Sequence, residues 1–151
     1  MRKFLVILDS STECLNAMRF AALRAANTGG GVTILAVIAP EEFNHWIGVA
    51  DIMRQEARER IEAHFEVFSK RMIDKEGVSP NLEIREGKME TEIIDYIHGN
   101  PEIGVLVLGA GTGKEGPGPL VSYMLRSSGS MPIPVTIVPG GMSKEAIIAV
   151  S

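Results

Sequence analysis

The fold is decided by "VLVLGAGTGKEGPGP", residues 105–119, where four consecutive aliphatic residues run straight into a segment holding five glycines. The apolar run is too short for a helix and shows no polar alternation, which is the pattern of a parallel strand covered on both faces. Residues 3–8 and 32–38 repeat that Val/Ile/Leu signature, so the three runs read as central strands. Residues 81–86 instead alternate polar and apolar, and residues 132–138 carry Pro132 and Pro134, which cannot donate to a ladder, so both read as sheet edges.

Helical patterns fill the intervals at about residues 12–27, 51–76, 88–98 and 120–127. The long one spaces Ile61, Phe65, Phe68 and Met72 three or four apart as one apolar face, while its mixed charges form a solvated face. Gly29-Gly30-Gly31, Gly77 and Gly99-Asn100-Pro101 mark helix ends. Strict alternation of strand and helix predicts an α/β fold, an open five-stranded parallel sheet with helices on both faces and right-handed crossovers. With the third and fifth strands at the edges, the compact order is 3-2-1-4-5. Winding reverses between strands one and four, and a ligand cleft is expected outside their carboxyl ends.

The 151 residues suit one domain spanning 1–151, whose core is built from aliphatic residues and methionine because only 5% of the chain is aromatic. A net charge of −4 with scattered Lys and Arg gives no continuous basic face, which argues against binding nucleic acid or a membrane surface. The first apolar run is too short for a signal segment or a membrane span. The single Cys14 excludes an internal disulfide, so a cytoplasmic location is the default expectation. Cys14 itself reads as a small buried hydrophobe. The three histidines lack a second ligand at metal spacing, and no metal site is expected.

The two loops that meet at the predicted cleft are Asp9-Ser10-Ser11-Thr12-Glu13 and the glycine-rich stretch. Ser10 and Glu13 fit a capping box, Ser-x-x-Glu, for the first helix, and Ser10 is also a candidate nucleotide contact. Asp9 stands beyond the core at a strand end, with two readings open: a local turn, or a carboxylate accepting from an adenine amino group or a ribose hydroxyl. The glycine stretch is no P-loop, because three residues separate Gly109 from Gly113-Lys114 and Glu115 replaces the hydroxyl. Gly111-x-Gly113-x-x-Gly116 matches the dinucleotide fingerprint literally, but Pro117-Gly118-Pro119 delays the helix and no acidic residue ends the next strand. What is left is a loop able to present amides to an anion before a helix opening near Gly118, or a surface loop needing glycine only for turns. Trp46, between strand two and the long helix, either anchors its own loop or stacks on a ligand.

With these features in place, the chain resembles the universal stress protein family along essentially its whole length. The resemblance rests on "KFLVILDSS", "VTILAVIAP", "VLVLGAG" and "LVSYMLRSSGSMPIPVTIVP". It implies a Rossmann-like, adenine nucleotide alpha-hydrolase-like sandwich. It further implies ATP held with Asp9 near adenine or ribose, the Val37 backbone on the adenine, and Gly109 and Gly118 around phosphate. The family motif calls for a glycine where Thr112 stands and for Ser or Thr where Pro119 stands, so the motif here is degenerate. Gly111 and Gly113 flank the missing glycine as substitutes, and Lys114 is a point charge within reach of a phosphate.

The expected function is a stress-response protein whose cleft binds ATP or AMP weakly or in altered fashion, with magnesium present only alongside a nucleotide. Hydrolysis is slow at most, since no paired acid and base or activated nucleophile is visible. The alternative is a dimeric interaction module that holds no nucleotide. The last strand is expected to pair two copies. The tail "MSKEAIIAVS", residues 142–151, either covers a neighbouring edge or partner or docks loosely.

Overall fold

The computed structural model describes residues 2–40 and 47–151. Five strands, β1 (Lys3–Ile7), β2 (Gly31–Ile38), β3 (Asn81–Glu86), β4 (Ile103–Ala110) and β5 (Val135–Pro139), pair in parallel in the order β3-β2-β1-β4-β5. Between and after them come α1 (Cys14–Thr28), α2 (Ile47–Glu76), α3 (Met89–Gly99), α4 (Pro119–Arg126) and α5 (Lys144–Val150). The two predicted edges are the observed edges. Pro132 and Pro134 precede β5 rather than interrupting it, so the ladder with β4 begins at Val135 opposite Leu106.

Pleating divides the central strands between two cores. Phe4, Val6, Ile34 and Val107 face a layer of α1, α2 and α5, while Leu5, Ile7, Leu35 and Leu106 face α3 and α4. The predicted apolar face of α2 packs as expected, with Met72 buried and Ile61, Phe65 and Phe68 against the first core. Gly29 closes α1 and Gly77 follows α2, both at positive φ, the conformation glycine adopts without a Cβ penalty.

The segment after β5 forms α5 on its own chain. Ser143 accepts from the Ala146 amide at the helix start, and Ile147 is completely buried. Arg24 and Asn27 of α1 both donate to the Ser151 carbonyl. The tail is thus docked on α1, which neither sequence reading anticipated. Asn16, itself buried, donates from Nδ2 to the carbonyls of Pro139, Gly140 and Met142 at 3.1 Å each, fixing the turn between β5 and α5.

Candidate functional site

β1 and β4 are neighbours whose following segments turn to opposite faces of the sheet, so their carboxyl ends leave a cleft of about 550 Å³. Asp9, Ser10, Ser11 and Glu13 line it from the β1 side, and Gly109, Gly118 and Pro119 from the β4 side. The convergence expected from two loops far apart in sequence is therefore present.

Asp9, an exposed residue, accepts at Oδ1 from both the Ser11 amide and the Ser11 hydroxyl. The capping box does not form. Glu13 is the N-cap of α1, without a side-chain bond, and the helix begins one residue later at Cys14. Because Asp9 has already turned the chain through Ser11, Ser10 stays outside the helix and exposed on the cleft wall.

Gly109 has a reason of its own. A Cβ there would stand 2.8 Å from the Glu13 carbonyl carbon, so β4 and the start of α1 approach only over a glycine. Gly140 is steric for a different reason: a Cβ there would lie 2.5 Å from the Ala110 carbonyl oxygen at the end of β4, with Glu13 Cβ next at 3.2 Å. The rest of the glycine loop closes on itself. The Gly111 amide donates to the Pro117 carbonyl at 3.0 Å and the Gly116 amide to the Gly113 carbonyl at 3.1 Å. Gly111, Gly113 and Lys114 do not line the cleft, and Lys114 is exposed.

Gly118, at φ +107°, precedes α4 and accepts from the Ser122 amide at 3.0 Å. Pro119 occupies the first helical position, so the orphan donors of that turn are reduced by one, with no side-chain cap. Val37 lies beyond Asp9 in a separate depression of about 170 Å³, bordered by Arg60 and His64 of α2. Asp9 and Ser10 line both spaces and connect them. Trp46 lies outside the described residues.

Three polar lining residues escaped the sequence reading: Glu90 of α3, and Tyr123 and Arg126 of α4. The spacing of Tyr123 and Arg126, four and seven residues after Pro119, was the available signal, since it puts them on one helical face. Among the described residues, Arg126 is the one cation lining the cleft, opposed by Asp9, Glu13 and Glu90. Beneath the floor, Cys14 Sγ donates to the Ile7 carbonyl at 3.5 Å. Burial, followed by the nearby charges of Asp9 and Glu13, pushes its thiol up from 9.0 to about 11 against a backbone hydrogen bond at Asp9. It is a packed thiol, not a nucleophile.

Comparison with known proteins places this geometry. The universal stress protein UspA from Lactobacillus plantarum is 22% identical, with a TM-score of 0.77 over 91% of this chain and 97% of its own. A universal stress protein from Archaeoglobus fulgidus in complex with dAMP is 19% identical, with a TM-score of 0.60 over 91% and 98%. One from Arabidopsis thaliana with AMP bound is 17% identical, with a TM-score of 0.63 over 92% of each chain. A comparison with curated proteins gives no match. Residues 1–139 match the universal stress protein family, and the chain belongs to that family.

Proposed function

We propose that the chain is a stress-response protein that binds an adenine nucleotide weakly in the cleft between the loops after β1 and β4. The observation that carries this reading is the joint lining of one cavity by Asp9 and by the Gly118-Pro119 start of α4. The exposed carboxylate of Asp9 suits an adenine amino group or a ribose hydroxyl, Val37 borders the adjoining depression, and the first turn of α4 offers amides to a phosphate. The AMP and dAMP complexes of relatives with the same fold support the ligand class.

Three features weaken the phosphate end: Pro119 without an amide, the Gly111 amide committed within its loop, and the carboxylates of Asp9, Glu13 and Glu90 facing the cavity. A monophosphate suffers less from that acidic lining than a triphosphate does. ATP is therefore bound no more tightly than AMP, magnesium enters only with ATP, and hydrolysis is slow at most. A cytoplasmic location and a homodimer through β5 complete the proposal. The self-closed glycine loop also favours a second reading, a dimeric interaction module that holds no nucleotide.

Isothermal titration of nucleotide-stripped protein with AMP and with ATP–magnesium separates the two. Saturable heat that Asp9→Ala abolishes supports the first reading. No heat, together with no nucleotide released on denaturing fresh protein, supports the second.

A further inference from the structure

On the helical layer made by α1, α2 and α5, away from the cleft, lies a groove of about 180 Å³. Met18 and Ala22 of α1 and Met72 of α2 form its buried floor, and Phe68 and the half-exposed Ile148 of α5 its apolar walls. Its rim is cationic: among the described residues, Arg19, Arg71, Lys75 and Lys144 face a single lining carboxylate, Glu76. Helical spacing produces the arrangement, since Met18/Arg19, Arg71/Met72 and Lys75/Glu76 each set a floor or inner position beside a rim position.

Four observations mark this as more than a solvated face. Among the described residues, the ion pairs join Arg54, Arg85 and Lys88 to carboxylates elsewhere, and none of the four rim cations has an acidic partner within 4.0 Å. The cations gather on a chain whose net charge is −4. The Lys144 ammonium is pushed down, first by the charge of Lys75 and then by its contact with the same group, so two like charges meet at the groove mouth although Glu76 attracts all four rim cations. The wall that carries Lys144 and Ile148 also lies beyond residue 139, where the family match ends, so the groove is completed by an element outside the matched region.

We propose that this groove is a binding site for a short aliphatic carboxylate, its tail on Met18, Ala22 and Met72 and its head between Lys75 and Lys144. The size follows from packing: an apolar cavity of roughly 150 Å³ accepts benzene, so this groove takes a tail of about six to eight carbons. The head must be anionic because an uncharged one would leave the rim ammoniums as unbalanced as before.

The test uses the full chain with methyl-labelled methionine, titrated with sodium octanoate below its critical micelle concentration and, separately, with 1-octanol. Octanoate is expected to shift the Met18 and Met72 methyl signals saturably. Octanol, and octanoate with the Lys75→Glu/Lys144→Glu variant, should bind about tenfold more weakly or worse. Both substituted positions are exposed, so the fold is retained, and an unchanged circular dichroism melt checks this. Equal binding of octanol and octanoate, binding unaffected by the double charge reversal, or no methyl shift with octanoate would each overturn the proposal.

Discussion

Gly109 shows how one residue type serves a purpose its motif does not advertise. It sits where a phosphate-cradling glycine is expected, yet its missing side chain makes room for the Glu13 backbone at the start of α1. Gly109→Ala should therefore destabilise the fold by about 1–3 kcal/mol whether or not nucleotide is present. Urea unfolding measures this, and unchanged stability would return Gly109 to a purely ligand-facing role. Asp9→Ala, on an exposed side chain, is the cleaner probe of binding. Cys14 gives a second prediction at this scale. Its folded pKa of about 11 exceeds the ordinary 9.0, so the native state holds the proton more tightly. The stability it contributes is full below pH 9.0 and lost as pH rises toward 11, a loss of roughly 2–3 kcal/mol. Unfolding curves across that window should fall more steeply for wild type than for Cys14→Ala. Parallel curves would mean that the thiol is solvated. The buried hydrophobe was legible because a thiol beside an apolar strand has no other partner. The failed capping box was not, because the hydrogen bonds of Asp9 with Ser11 compete for the same short segment.

Among the elements, α4 governs the phosphate end of the cleft. Its eight residues start at Pro119, and that one ring withholds an amide from the position nearest the β4 loop. Pro119→Ser restores an amide and a hydroxyl there, and we expect ATP affinity to rise about tenfold, with a smaller gain for AMP. Calorimetry with adenosine as control decides the matter, since an equal gain for adenosine would put the phosphates elsewhere. The element types were readable from period and length alone, because an aliphatic run of four to eight residues and a face repeating every three or four are local properties. The starts of α1 and β5 shifted by two and three residues where competing hydrogen bonds and the prolines set the boundary. The docking of α5 on α1 was not readable, because Ile147 finds its burial site only after α1 and the β4–β5 edge are assembled. Asn16 likewise looks like any polar helical residue until three carbonyls from the far end of the chain converge on it.

For the whole molecule, the open question is what covers β5. Among the described residues the strand pairs only with β4, and its other edge is left open along Val135–Val138. We expect two copies to associate there. Light scattering at micromolar concentration should give a dimer mass for the wild type and a monomer for Thr136→Lys, which places a charge on the edge; a monomeric wild type would refute the pairing. The sequence by itself determined the alternation of elements, the order 3-2-1-4-5 and the position of the cleft. Apolar periodicity and proline placement are written locally, and the handedness of crossovers leaves few topologies. Tertiary structure alone decided which glycines are steric, that the glycine loop spends its amides on itself, and that Tyr123 and Arg126 line the cleft. It also decided that cations from three helices meet at one groove. Each of these depends on distances between residues remote in the chain, which exist only once the sheet and its two helical layers have packed.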